Sequence, residues 1–147
     1  MKSKLLITVT IFIITMISSC TTYYLSTDSL KQQFAGIDST RLKDVIVTGP
    51  YNERYKYEAN PIVSIQCTDK NGNLHQLKNS PSIETRFTYG HKNKKTIFYF
   101  DRIFVSGDKI YGVESRFASF IKSSIPLDSI TKIEVQDGRK KFKYVDK

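Results

Sequence analysis

Residues 124–145 read SIPLDSITKIEVQDGRKKFKYV, and this stretch decides the fold class. Ser124-Ile125-Pro126-Leu127 has the form of a short edge strand, because proline donates no ladder hydrogen bond. Asp128-Ser129 starts a tight turn. Ile130 to Gln136 follows as a strand that places Ile133 and Val135 on one face. Asp137-Gly138 carries hairpin-turn chemistry, so Lys140 to Val145 is expected to return beside it and close the sheet.

The same pattern extends backwards along the chain. Lys43 to Thr48 is short and β-branched, and Gly49-Pro50 stops it. Arg54 to Glu58 alternates, with Tyr55 and Tyr57 on one side. Ile62 to Thr68 alternates too, which puts Val63, Ile65 and Cys67 on one face. The turn Asp69-Lys70-Asn71-Gly72-Asn73 leads to a return strand over Leu74 to Leu77. Glu84 to Tyr89 is a further strand, and the polar turn GHKNKK (90–95) follows it. Thr96 to Val105, TIFYFDRIFV, is the densest apolar run and reads as one strand covered on both faces. Ser106-Gly107-Asp108 turns into a strand over Lys109 to Val113. Glu114 to Lys122 fits a helical turn or a continued strand. One short N-terminal helix is expected from Asp28 to Phe34, capped by Ser26 or Thr27 and ended by Gly36.

Composition sets the scale of this fold. The chain has 147 residues, enough for one domain, and its 39% hydrophobic content is too high for a disordered chain. The expectation is a mainly β fold, with α+β as the alternative: a small antiparallel barrel or sandwich with one short helix, forming a single basic domain over 28–147. The strand, proline, Asp-turn, strand ending loosely resembles small SH3-like or Sm-like barrels, over about the last fifty residues only.

The N-terminus reads differently. Lys2 and Lys4 precede the apolar run LLITVTIFIITM (5–16), which small residues follow. That is the form of a secretory signal, and it is shorter than the ~20 apolar residues that span a bilayer comfortably. Ile17-Ser18-Ser19-Cys20 then resembles the lipobox of bacterial lipoprotein precursors. The resemblance covers residues 1–20. It implies a signal peptide over 1–19, diacylglycerol on Cys20, cleavage before it and acylation of the new amine. Two or three acyl chains hold a protein firmly on a membrane. Thr21 stands where an Asp retains lipoproteins in the inner membrane, so the resemblance implies a lipid anchor in the cell outer membrane. The absence of an acidic cluster after Cys20 points to the periplasmic face. Residues 20–27 read as the lipidated Cys and a short tether, which reaches on the order of 25 Å at ~3.3 Å per residue.

Candidate chemistry is sparse. With Cys20 acylated, Cys67 is left as a single thiol and reads as a buried structural residue. His75 and His91 have no partner at zinc-ligand spacing, so neither a metal nor a cofactor is expected. No nucleophile elbow or phosphate-cradling loop occurs. Asp101, Asp108, Glu84 and Glu114 read as solvated turn residues before any carboxylate pair, and no catalytic residue is assigned.

The positive signal is charge. Lys+Arg number 23 against 14 Asp+Glu, a formal charge of +9. Lys92, Lys94 and Lys95 crowd one turn, and Arg139, Lys140, Lys141 and Lys143 crowd the C-terminus with Phe142 and Tyr144 between them. Export takes nucleic acid out of reach. The expected partners are the membrane, through acyl chains on Cys20, and anionic envelope components or a partner protein at the basic surface. The sequence therefore predicts a non-enzymatic lipoprotein. An envelope binding or assembly module is the first alternative, and a small carboxylate-dependent hydrolase the second.

Overall fold

The computed structural model describes residues 21–115 and 122–146. The stretch through Cys20 that resembles a lipobox, and most of the ambiguous 114–122 stretch, lie outside the described residues. The fold is mainly β; among the described residues there is one α-helix and every strand pairing is antiparallel.

Among the described residues the strands form three sheets. The first has six strands in the order β5 (Leu74–Lys78), β4 (Ser64–Thr68), β1 (Thr22–Leu25), β11 (Ile130–Asp137), β6 (Ile83–Tyr89) and β7 (Lys94–Tyr99). The second runs β10 (Lys122–Pro126), β9 (Lys109–Val113), β8 (Phe104–Ser106). The third runs β12 (Lys143–Asp146), β2 (Lys43–Thr48), β3 (Arg54–Ala59). Among the described residues no sheet closes on itself, so the architecture is sandwich-like and not a barrel.

The main core lies between the first two sheets. Phe87, Phe98, Ile65, Ile133 and Val135 point inward from the six-stranded sheet and meet Ile110 and Ile125 of the second sheet. Helix α1 (Thr27–Gln33) covers part of the same core with Leu30, and Phe34 at its C-terminal cap packs beside it. Ser26 caps the helix, accepting the backbone N–H of Ser29 at 3.1 Å, and Gly36 (φ +74°) turns the chain away. Each large apolar side chain buried here is worth roughly 1.5–3 kcal/mol. The two sheets approach closely where β7 crosses β9: a Cβ on Gly112 would lie 2.3 Å from Cγ of Phe98. A smaller cluster of Val45, Val47, Tyr57 and Ala59 forms the core of the third sheet.

Four sequence expectations change. The tether over 20–27 is shorter than read, because Thr22–Leu25 is β1, filling the gap between β4 and β11. Val63 does not join Ile65 and Cys67. Pro61 has no N–H, Asn60 Oδ1 accepts from the Ile62 amide, and the Asn79 amide binds the Val63 carbonyl. Those bonds hold 61–63 as a loop and leave Val63 70% exposed.

The run Thr96 to Val105 is not one strand. A 3-10 turn at Phe100–Arg102 breaks it, and the chain passes there from the first sheet to the second. Finally, β11 and β12 do not form a hairpin. Both edges of β11 are already taken, by β1 and β6. Asp137-Gly138 instead docks on the start of β6, with the Gly138 amide on the Ser82 carbonyl at 3.0 Å. Asp137 Oδ1 accepts from Ser82 Oγ at 2.6 Å and from the Arg139 amide at 2.9 Å. The chain then crosses to pair β12 with β2.

Candidate functional site

The two basic clusters stand at opposite ends of the six-stranded sheet. Lys94 pairs with Tyr89, which pairs with Ile130, so Lys92, Lys94 and Lys95 lie at the end where β11 begins. Asp137 pairs with Ile83 at the other end, and Arg139, Lys140, Lys141 and Lys143 follow from there. The six residue steps of β6 between them span about 20 Å. The seven cations therefore stand in two groups, and all seven are exposed.

The C-terminal cluster shares its end of the sheet with the start of the domain. Thr22 pairs with Gln136, whose Nε2 donates to Thr22 Oγ1 at 2.5 Å. The chain therefore enters the fold directly beside the strand end from which Gly138 and Arg139 leave. Lys140 is held there by an ion pair to Glu84 and lies 5.7 Å above the Tyr99 ring.

The polar feature that the sequence reading missed lies inside. Asp101 and Arg102 are buried in the 3-10 turn between the sheets. Asp101 Oδ2 accepts from the hydroxyls of Tyr57 (2.6 Å, β3) and Tyr144 (2.8 Å, β12). Asn60 locks the turn from the same side. Its amide donates to the Asp101 carbonyl at 2.7 Å, and its Nδ2 reaches the carbonyls of Phe100 and Ile103 at 2.7 and 3.0 Å. The Arg102 guanidinium stacks 3.6 Å from the centre of the Tyr57 ring and donates to the Ser115 carbonyl at 3.4 Å. Asp101 is thus not a solvated turn residue. It fastens the third sheet to the sandwich. The signal was present as an Asp-Arg pair inside the strongest apolar run of the chain.

A cavity of about 180 Å³ adjoins this cluster, lined by Leu42, Tyr57, Glu58, Arg102, Phe104, Val113 and Lys122. Lys122 Nζ and Glu58 Oε2 face each other there at 4.0 Å, so opposite charges offset at its wall. A larger groove of about 560 Å³ runs between the end of α1 and the β8–β9 turn, with Asp38, Asp108, Asp128 and Lys31 in its lining. Asp38 is committed locally. The side chain of Thr40 first, then its amide, bind Oδ1 and hold the carboxyl below its ordinary value.

The remaining candidates disperse. Glu84 engages Lys140, Glu114 Oε1 accepts from Ser123 Oγ at 2.5 Å, and Asp108 sits in an exposed turn. Cys67 is buried in the main core, and desolvation pushes its thiol up to about 11. His75 lies 3.1 Å from Asp69 on the outer sheet edge, and His91 is exposed in the β6–β7 turn. Among the described residues no group of three or more His, Cys, Asp or Glu is placed to hold a metal ion. No family model, curated protein or solved structure matches this chain.

Proposed function

We propose that this chain is a non-enzymatic lipoprotein of the bacterial cell envelope, anchored through acyl chains on Cys20 and held at the periplasmic face of the outer membrane. The observation that carries the reading is the position of Cys20. It follows the basic start, the short apolar run and Ile17-Ser18-Ser19, and it stands two residues ahead of β1. Among the described residues no helix is long and apolar enough to cross a membrane. An acylated Cys20 would anchor the domain at the membrane.

The role assigned to the domain is binding or assembly. In support, the buried Asp101 carboxyl is occupied in joining sheets through Tyr57 and Tyr144, and the other candidate carboxylates among the described residues do not converge. A tether of so few residues keeps the domain against the bilayer, within reach of head groups and of proteins at the same surface. The test is fractionation of the wild-type protein beside Cys20→Ala. The expected result is a membrane-bound wild type, with the variant shifted out of the acylated membrane pool. A variant that fractionates fully with membranes would overturn the reading.

A further inference from the structure

We infer that the segment Gly138–Lys143 is a membrane-contact surface that docks on anionic phospholipid head groups. The inference rests on the Cys20 anchor for its geometry and goes beyond it in naming the face and the ligand. Gly138-Arg139-Lys140-Lys141-Phe142-Lys143 carries four cations and no carboxylate. It leaves β11 one residue past the pair Asp137–Ile83, and Thr22 pairs with Gln136 at the same sheet end. Whatever holds residue 20 holds this segment beside it, because only Thr21 separates Cys20 from the sheet.

The surroundings suit a head-group layer. Phe142 is half-buried against the third sheet, which fixes the segment instead of leaving it a loose tail. Lys143 pairs with Thr48, next to the β2–β3 turn, where Tyr51 is 90% exposed. Tyrosine is favoured at the membrane–water interface because its ring is apolar and its hydroxyl is wet. Three carboxylates lie near and are already engaged: Glu84 with Lys140, Asp137 with Ser82 and the Arg139 amide, and Glu53 with the Tyr51 amide and the Tyr55 hydroxyl. Each Lys or Arg close to an anionic leaflet raises partitioning by on the order of fivefold, within a Debye length. The opposite cluster, Lys92, Lys94 and Lys95, lies across the length of β6, at the sheet end opposite the Thr22–Gln136 pair.

The test is amine footprinting of the full-length protein, purified from membranes and reconstituted in phosphatidylcholine vesicles with or without about one third phosphatidylglycerol. The expected result is that anionic lipid slows acylation of Lys140, Lys141 and Lys143 by about fivefold, reversed by high salt, while Lys92, Lys94 and Lys95 react equally in both vesicles. Equal reactivity of the C-terminal lysines in the two vesicles, or protection at Lys92–Lys95 instead, would overturn the inference. The intact mass of the same sample reports separately on Cys20. An acylated protein without protection sinks the docking surface alone. An unacylated protein with the predicted protection sinks the anchor alone.

Discussion

The hydroxyl of Tyr57 donates to Oδ2 of Asp101 across 2.6 Å, and this bond ties the third sheet to the sandwich core. The same oxygen takes a second bond from Tyr144, so β3 and β12 converge on one buried carboxyl. Asp101→Ala would leave both hydroxyls without that acceptor, at about 1–3 kcal/mol each. Urea unfolding should show a loss of about 3 kcal/mol for Asp101→Ala and about 1 kcal/mol for Tyr144→Phe. In a double-mutant cycle the Tyr144→Phe effect should vanish in the Asp101→Ala background. Additive effects would show that the two residues are not coupled.

Gly112 of β9 lies tight against Phe98 of β7, where the two main sheets meet. A methyl group there meets Phe98 at 2.3 Å from Cγ, inside any permitted contact. Gly112→Ala should therefore destabilise by about 1–3 kcal/mol through overpacking. Removing the opposing ring in the Gly112→Ala, Phe98→Ala pair should recover part of that loss relative to the sum of the two single changes. Failure of the pair to recover any stability would mean that the contact is not the cause.

Cys67 should be chemically silent in the folded protein. Burial pushes its thiol up to about 11, so the nucleophilic thiolate is scarce at neutral pH. Alkylation at pH 8 should run at least about 100-fold slower than in urea. The folded chain also holds this proton more tightly than the unfolded chain. Cys67 therefore favours unfolding as pH climbs from 9.0 toward about 11, and Cys67→Ala should remove that part of the alkaline decline. Rapid labelling of native protein would contradict the placement.

Asp69 organises the β4–β5 turn and gives it an acid sensitivity. The Asn73 side chain foremost, then the His75 ring and the amides of Asn73 and Asn71, draw its carboxyl well below the ordinary 3.8. A depressed value means that the stabilisation is present above 3.8 and is lost as pH falls below it. Asp69→Asn should unfold at a lower temperature than wild type at pH 7, with the gap closing as pH falls through the carboxylate range. A gap that does not change with pH would show that the charge plays no part.

Local chemistry made much of this fold legible. The Asp69–Asn73 turn, the Ser26 cap and the alternation of Ile133 and Val135 each specify structure within a few residues. The partner of a strand is not local. Asp137-Gly138 looks like a hairpin, yet β1 and β6 already fill both edges of β11, and no short-range pattern records that. TIFYFDRIFV reads as a buried strand until Asp101 finds hydroxyls 44 and 43 residues away. The basic clusters were visible as composition. Their separation to two ends of a sheet follows from register alone.

The state of Cys20 decides whether this chain is held by acyl groups. The decisive measurement is the intact mass of the protein extracted from membranes, with Cys20→Ala beside it. The expected mass is that of residues 20–147 plus acyl groups, absent from the variant. An unmodified chain of 147 residues would contradict it and leave residues 5–19 as an ordinary anchor.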